Sequence, residues 1–230
     1  MRLSVIVPVY NEVGSVEELA RRALAEEQTA QLILVDDGST DGTPRALEAL
    51  RESDRRVELL AHRRNRGKGA AIRTAIPHCR QGAVLIQDAD LEYDPKHYDR
   101  LLAPIAAGEA DVAYGSRYLL ADGALGQRLS NRLANHLITR LSNRFTGLEL
   151  TDVETCYKCF RRDVIERIEI EQNRFGVEIE LTAAVARMGC RVIDVPIDYR
   201  GRNRVQGKKI GLRDGLEALW LILRYAARDR

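Results

Sequence analysis

Apolar segments and helical segments alternate along the first half of the chain. The apolar segments are short and rich in β-branched residues: LSVIVPV, QLILVDD, RVELLAH, AVLIQDAD and ADVAYGS. Helical patterns lie between them, near residues 15–27, 43–53, 68–78 and 96–107. Continuous apolar runs are typical of strands covered on both faces, and their alternation with helices is typical of βαβ units. The pattern therefore predicts an α/β fold with a mostly parallel central sheet.

Each of the five predicted strands is followed by a polar cluster. The clusters, in chain order, are YNE, DDGSTDGT, RRNRGKG, DADLE and GSR. Ligands of parallel α/β sheets bind beyond the carboxyl ends of the strands. A structural loop needs only turn-forming residues, so five consecutive polar clusters indicate one binding site at this edge of the sheet.

Composition narrows the class of protein. The chain has 230 residues, of which 45% are hydrophobic, and this is enough for one sizeable core. The net charge of +2 gives no general reason to expect a nucleic-acid partner. The longest apolar run, ALWLIL, is far shorter than the roughly 20 residues that a spanning helix needs, and the N-terminus lacks the pattern of a secretory leader. We therefore expect a cytoplasmic protein whose four cysteines are reduced.

The segment QDADLEYDP places four carboxylates directly after an apolar strand. Such clusters are usually solvated surface. On an extended chain, however, residues two apart point the same way, so Asp88 and Asp90 can face one point. Carboxylates that lie close together raise each other's pKa unless a cation lies between them, and Mg²⁺ and Mn²⁺ prefer oxygen ligands. We predict a divalent metal here that binds a phosphate-bearing ligand.

Two other clusters have a structural and a functional interpretation. DDGSTDGT supplies turn and N-cap residues, but Asp36 and Asp37 lie within the strand end, where a carboxylate can bind a nucleobase or a ribose. The glycines flanking Lys68 suit a flexible turn or an anion at a helix N-terminus. The segment is not a Walker A loop, because His62 and Gly69 replace its first glycine and its hydroxyl.

In this order and spacing, the motifs VIVPVYNE, LVDDGSTDGT, NRGKGAAI, DADLEYDP and YGSR resemble glycosyltransferase family 2. The similarity extends through DVETCYKCFRRDVI and the segment from CRVIDVPIDYR to LRDG, and is strongest to the catalytic domain of dolichyl- or polyprenyl-phosphate sugar (mannosyl or glucosyl) transferases. The resemblance implies one Rossmann-like GT-A domain over residues 1–230, with a nucleotide-sugar-binding half over 1–115 and an acceptor-side half over 116–230. It also implies a GDP- or UDP-linked sugar donor, Mg²⁺ or Mn²⁺, and inversion at the anomeric carbon.

The resemblance assigns donor-side roles to individual residues. Four residues match positions that line the nucleoside site: Pro8, Tyr10, Glu12 and Asp37. Asp88 and Asp90 match the metal-binding DxD pair, and Glu92 stands where such enzymes often have a further metal-associated side chain.

Three basic residues and two acids complete the expected machinery. Arg117 matches an acceptor-phosphate contact, Arg202 matches a contact to the donor diphosphate, and Lys68 is a candidate to stabilise the same leaving group. A hydroxyl acceptor would need a general base, for which Asp152 or Glu154 are candidates. A phosphate acceptor is already anionic and would need none.

A basic row and an apolar row recur at helical spacing after the GSR motif. The basic row is Arg128, Arg132, His136, Arg140 and Arg144, and the apolar row is Leu129, Leu133, Leu137, Leu141 and Phe145. This pattern occurs in helices packed on a sheet and in helices that lie on an anionic bilayer. We expect the second, with the C-terminal helix around Trp220 as another interfacial contact. The predicted acceptor is therefore a polyprenyl phosphate, reached by a peripheral enzyme at the cytoplasmic membrane face.

The sequence leaves three alternatives open. The acceptor could be a soluble or glycan hydroxyl. A sugar-1-phosphate nucleotidyltransferase would share a nucleotide-binding core, but the sequence has PVYNEVGSV in place of its basic, glycine-rich opening loop. A regulatory module that only binds nucleotide sugars would not need both aspartates of the DAD motif.

Overall fold

The computed structural model describes residues 1–120, 124–125, 129–201 and 212–228. The strands are β1 Leu3–Val9, β2 Thr29–Asp36, β3 Val57–Ala61, β4 Ala83–Ile86, β5 Val112–Ser116, β6 Ala124–Leu125, β7 Lys158–Arg161, β8 Val192–Pro196 and β9 Tyr199–Arg200. The helices are α1 Val16–Ala25, α2 Thr43–Ser53, α3 Lys68–Ala75, α4 Tyr98–Ala106, α5 Leu129–Thr146, α6 Arg162–Ile165, α7 Val177–Arg187 and α8 Leu212–Arg228. Short 3-10 helices lie at Ile76–His78 and Pro95–His97.

Seven strands form one sheet in the order β3-β2-β1-β4-β7-β5-β8. β1 pairs in parallel with β2 and β4, β2 pairs in parallel with β3, and β5 pairs in parallel with β8. The one antiparallel member among the described strands of this sheet is β7, which lies between β4 and β5. The predicted mostly parallel sheet is confirmed, and β7 and β8 are its members beyond the five predicted strands. β6 and β9 form a separate parallel pair.

The core lies on both faces of the sheet. In β1, Leu3, Val5, Ile6 and Val7 have no exposed surface, which explains the uninterrupted apolar run of that strand. Burial of each such side chain contributes about 1.5–3 kcal/mol relative to exposure. The four cysteines are free thiols, and three of them are buried. Within the described part of the chain, no helix has the length and hydropathy needed to cross a bilayer.

Candidate active site

The loops that follow β1 and β2 are joined by side-chain hydrogen bonds. Asn11 takes a left-handed conformation with φ of 53°, its backbone N–H donates to Ser39 Oγ at 3.0 Å, and its Oδ1 accepts from the Thr40 N–H at 2.8 Å. The Glu12 N–H donates to Thr43 Oγ1 at 2.9 Å. These bonds fix the position of Glu12 relative to the second loop, at the edge of the sheet where the predicted site lies.

An open cleft of about 520 Å³ lies beyond the carboxyl ends of β1 and β4. Its lining residues are Glu12, Gly14, Ser15, Asp90, Leu91, Arg200 and Gly201. The cleft thus brings together Glu12 and Asp90, two of the predicted donor-site acids. Pro8 lies in β1 and Tyr10 directly after it, and both are half-buried.

Asp37 anchors the loop that follows β3. One of its carboxylate oxygens lies 2.6 Å from His62 Nδ1 and accepts from the Arg66 N–H at 2.9 Å, and the other accepts from the Gly67 N–H at 2.7 Å. The residue is 3% exposed. Its carboxylate therefore holds the loop in the present structure, and the expected nucleoside contact stays a prediction.

The DADLE segment is a turn rather than an extended strand. β4 ends at Ile86, the turn falls at residues 89–90, and Leu91 has a left-handed φ of 62°. The buried side chain of Gln87 stabilises the turn, because its Nε2 donates to the carbonyls of Asp88 at 2.9 Å and Tyr93 at 3.4 Å. The extended geometry assumed from the sequence for the two aspartates is therefore wrong. Gln87 was not predicted; the available signal was a single amide residue between the apolar strand and the acidic segment.

The three predicted metal-site acids have different partners. Asp88 Oδ1 lies 2.8 Å from Lys68 Nζ. Asp90 Oδ1 accepts from the Glu92 N–H at 3.1 Å, and Glu92 Oε2 accepts from the Tyr199 hydroxyl at 2.5 Å. Burial would raise the pKa of Asp88, but the charge of Lys68, hydrogen bonds from Cys156 and Lys68, and the charge of Arg117 together hold the pKa below the usual value.

The residues fit a divalent ion that is shared with a diphosphate. No group of three or more His, Cys, Asp or Glu side chains within the described ranges is arranged to hold a metal by itself. Mg²⁺, however, is usually bound by one or two carboxylates, with water and substrate phosphates as the other ligands. Asp90, which lines the open cleft, and the neighbouring Asp88 supply oxygen donors of this kind.

Lys68 bridges the two halves of the chain. Its Nζ lies 2.8 Å from Asp88 Oδ1 and 2.8 Å from Glu178 Oε1, and the Lys68 side chain is 10% exposed. Glu178 was not predicted, since nothing in its local sequence links it to a residue 110 positions earlier. The local sequence shows only that two acids, Glu178 and Glu180, stand in the first turn of the mostly apolar helix α7.

Arg117 and Asp152 form a buried ion pair. Arg117 Nε and Nη2 donate to the two carboxylate oxygens of Asp152 at 2.6 and 2.7 Å. Asn135 Nδ2 donates to the same carboxylate at 2.9 Å. The guanidinium of Arg117 also lies 5.1 Å from the centre of the Tyr199 ring. Asp152 has no exposed surface, so its position does not suit a general base for a substrate.

Glu154 is the second acid of the TDVET segment, and its surroundings differ from those of Asp152. One oxygen of Glu154, Oε1, is buried and has no hydrogen-bond partner among the described residues. Burial, together with the nearby charge of Glu178, raises the pKa of Glu154 from 4.5 to about 7. Lys158, which was not predicted, donates from Nζ to the carbonyls of Val153 and Thr155. Burial lowers the pKa of Lys158 from 10.5 to about 8.

α5 exposes the side that an ordinary packed helix would bury. Leu129, Leu133 and Leu137 are 80%, 70% and 59% exposed. The buried residues of the helix are mostly polar: Asn135, Ile138, Thr139 and Ser142. The basic row is exposed beside the leucines at Arg132, His136, Arg140 and Arg144. Trp220 and Leu223 are also exposed on α8, which contacts α5. Arg128 and Arg202 lie outside the described residues.

Sequence comparison identifies related proteins. The profile of glycosyl transferase family 2 matches residues 4–169. Undecaprenyl-phosphate mannosyltransferase of Micrococcus luteus is 29% identical, with 97% of this chain and 98% of that protein aligned. Polyprenol monophosphomannose synthase of Mycolicibacterium smegmatis is 30% identical over 100% of this chain and 88% of that protein. Glycosyltransferase AglD of Haloferax volcanii is 28% identical over 88% of this chain, which spans only 34% of AglD.

Solved structures share the fold. Glucosyl-3-phosphoglycerate synthase from Mycobacterium tuberculosis in complex with UDP has a TM-score of 0.75 at 19% identity, over 98% of this chain and 80% of that chain. The same synthase with Mn²⁺, UDP and glucosyl-3-phosphoglycerate has a TM-score of 0.72 at 18% identity, with 98% of this chain and 80% of that chain covered. The predicted GT-A fold is therefore confirmed.

Proposed function

The chain belongs to glycosyl transferase family 2, and we propose that it is an inverting, metal-dependent enzyme that transfers a sugar from a nucleoside-diphosphate sugar to a polyprenyl phosphate. The observation that carries the proposal is the cleft at the carboxyl edge of the sheet, which both Glu12 and Asp90 line. The two relatives that align over most of their length with this chain are named for undecaprenyl-phosphate and polyprenol substrates, which supports the acceptor class.

The reaction has a single displacement at the anomeric carbon. An oxygen of the acceptor phosphate attacks C1 of the sugar, the bond from C1 to the diphosphate oxygen breaks, and the nucleoside diphosphate leaves with the electron pair. No proton has to be removed, because the attacking oxygen is already anionic. Attack from the side opposite the leaving group inverts the configuration, so no nucleophile from the protein is needed.

The residues of the chain bind and orient the two substrates. Asp88 and Asp90 would hold a Mg²⁺ or Mn²⁺ ion, which when bound supplies Lewis-acid stabilisation of the diphosphate. Glu12 borders the donor cleft. Asp37 keeps the loop that follows β3 in place, because its carboxylate accepts hydrogen bonds from backbone N–H groups of that loop. Arg117 is neutralised by Asp152, so its expected contact with the acceptor phosphate would be made by a guanidinium whose orientation is already fixed.

The exposed face of α5 supports a membrane-bound acceptor. Leu129, Leu133 and Leu137 would enter the interfacial region of a bilayer, while the neighbouring arginines would contact anionic head groups. Trp220 on α8 is suited to the same interface. In this proposal the enzyme works as a peripheral protein on the cytoplasmic face of the membrane.

Transfer assays test the proposed reaction. The protein would be incubated with radiolabelled UDP- and GDP-sugars, a short polyprenyl phosphate and Mn²⁺, and the product would be extracted into organic solvent. We expect label in the lipid and release of nucleoside diphosphate, with an inverted anomeric configuration by NMR. Formation of pyrophosphate would instead indicate a nucleotidyltransferase, and binding without turnover would indicate a regulatory module.

A second candidate function is transfer to a soluble or glycan hydroxyl group. Glu154 favours it, because a carboxylate with a pKa near 7, and with one buried oxygen that has no partner in the described part of the chain, is suited to general-base catalysis. A panel of hydroxyl acceptors run beside the polyprenyl phosphate separates the two. Efficient transfer to a hydroxyl with none to the lipid would overturn the first proposal.

A further inference from the structure

The ammonium group of Lys68 occupies a position between two carboxylates. It lies 2.8 Å from Asp88 Oδ1 and 2.8 Å from Glu178 Oε1. We propose that Lys68 is a resident cation that keeps Asp88 from binding a divalent metal until the donor diphosphate arrives. This inference rests on the proposed function in one respect, since it takes Asp88 and Asp90 as the metal-binding pair.

The backbone around Lys68 is built to hold it in this position. Lys68 is the first residue of α3, between Gly67 and Gly69. A Cβ atom at Gly67 would lie 2.3 Å from the Asn173 carbonyl oxygen, and one at Gly69 would lie 2.1 Å from the Gln172 carbonyl oxygen. The two glycines therefore permit a close approach between the start of α3 and the segment that leads into α7. This approach brings Lys68 to Glu178.

The same contacts argue against a mobile Lys68 side chain that moves to bind a phosphate. Gly67 and Gly69 pack against the backbone of Asn173 and Gln172, respectively, and the Gly67 N–H donates to Asp37. The Lys68 side chain is 10% exposed, whereas that of Asp88 is 27% exposed. Lys68 is thus a positioning residue that acts on Asp88, and Glu178 holds it there.

The charge of Lys68 makes the binding of a metal by Asp88 depend on the donor diphosphate. A divalent ion that used Asp88 as a ligand would lie within a few ångströms of the Lys68 ammonium, and like charges at such distances repel strongly in a partly buried site. Without a phosphate, Asp90 would be the main anionic ligand. A diphosphate adds negative oxygens that offset the repulsion. Because binding linkage is reciprocal, the metal must then tighten nucleotide binding by the same factor by which the nucleotide tightens metal binding.

Mn²⁺ titrations followed by electron paramagnetic resonance test this directly. The affinity of the full chain for Mn²⁺ would be measured alone, with UDP and with GDP. The main variant is Lys68→Met combined with Glu178→Gln, which removes the cation without leaving two unpaired carboxylates in a buried site. We expect this variant to bind Mn²⁺ alone about tenfold tighter or more than the wild type does. Its gain in affinity on adding nucleotide should be correspondingly smaller.

Three further proteins make the result specific. Adding Asp88→Asn to the double variant should remove the gain, and Lys68→Arg should keep the weak metal binding of the wild type. Lys96→Met removes another lysine charge, one that pairs with Asp198 at the surface, and should change nothing. Circular dichroism would verify that each variant is folded.

The outcomes separate this inference from the proposed function. Equal Mn²⁺ affinities of wild type and double variant, together with nucleotide-dependent Mn²⁺ binding by the wild type, would overturn the role of Lys68 and leave the metal site standing. A gain that survives Asp88→Asn would also overturn it. Absence of Mn²⁺ binding by the wild type even with UDP or GDP would overturn the metal site and the inference together.

Discussion

The guanidinium of Arg117 donates two hydrogen bonds, of 2.6 and 2.7 Å, to the carboxylate of Asp152. The Arg117 side chain is 8% exposed and that of Asp152 is fully buried. The sequence suggested separate roles for the two residues, a phosphate contact and a general base. Their pairing means that each residue serves in the first place to neutralise and hydrogen-bond the other.

Replacing Arg117 with Met should therefore destabilise the fold as well as impair transfer. Among the described residues, Asp152 would keep only the backbone N–H of position 117 and the Asn135 side chain as hydrogen-bond donors. Removing one partner of a buried ion pair typically costs about 3–5 kcal/mol. Denaturant unfolding would measure the loss, and the double variant with Asp152→Asn should recover part of it. A single variant as stable as the wild type would show that the pair does not hold the fold.

Asp90→Asn should strongly lower turnover with little effect on stability. Asp90 lines the open cleft, and an Asn at this position can still accept the Glu92 N–H through its Oδ1. The lost charge should lower turnover by about 100-fold or more, the scale seen when a group that stabilises developing charge is removed. Asp94→Asn, four residues later, is the matched control and should retain activity. Normal turnover of Asp90→Asn under strict metal limitation would contradict the metal role.

The sequence predicted local elements well because local patterns determine them. The first four strands begin and end within a few residues of the predicted segments, and α2 spans Thr43–Ser53 as predicted. Hydrophobic periodicity depends on residues that are close in sequence, so it predicts local elements without knowledge of the tertiary structure. β7 was missed because it has only four residues and includes the buried Lys158, whose ammonium is satisfied by two carbonyls of the preceding turn.

The sequence predicted part of the candidate site, and it missed the partners of the charged residues for one reason. Glu12 and Asp90 lie in the same cleft because carboxyl ends of parallel strands share an edge of the sheet. The partners of the charged residues, however, come from distant segments. Glu178 lies 110 residues after its partner Lys68, and Asp152 lies 35 residues after its partner Arg117. Pairings across such separations leave no periodic signal in a single sequence.

Asp37→Asn should weaken the fold and donor binding together. The carboxylate accepts the N–H groups of Arg66 and Gly67 on different oxygens, and an amide can accept on only one of them. An unsatisfied buried donor costs about 1–3 kcal/mol. Asp41→Asn is the control, because Asp41 is exposed and its one oxygen that accepts the Thr43 N–H is retained. Thermal unfolding with and without UDP would measure both effects. Unchanged stability would mean that the loop does not depend on Asp37.

Leu133→Glu combined with Leu137→Glu should prevent binding to anionic vesicles. The two leucines are exposed on α5 beside the arginines, so the substitution places negative charge where an anionic bilayer would lie. We expect the wild type to float with phosphatidylglycerol vesicles at low salt and less at high salt, because salt screens head-group attraction. Leu119→Glu changes an exposed leucine outside α5 and should still float. Flotation of the double variant at the wild-type level would exclude this face as the contact.

Glu154→Gln should change how stability depends on pH. The pKa of Glu154 is raised from 4.5 to about 7 on folding, so the native state binds a proton that the unfolded state has released between these values. Its contribution to stability is therefore complete below pH 4.5 and is lost as pH rises through 7, a difference on the order of 3 kcal/mol. The variant should equal the wild type in stability at pH 4 and exceed it at pH 8. Glu149→Gln, at an exposed position nearby, should follow the wild type.

The same variant distinguishes the two acceptor classes. If Glu154 is a general base, transfer to a hydroxyl should rise with pH through about 7, where the carboxyl ionises, and should be lost in Glu154→Gln. Transfer to a polyprenyl phosphate needs no base and should persist in the variant across this range. Rates for both acceptors between pH 5.5 and 8.5 (about one pH unit or more on either side of the pKa) would measure this. Loss of lipid transfer in a stably folded Glu154→Gln protein would mean that Glu154 contacts the substrates in the proposed reaction as well.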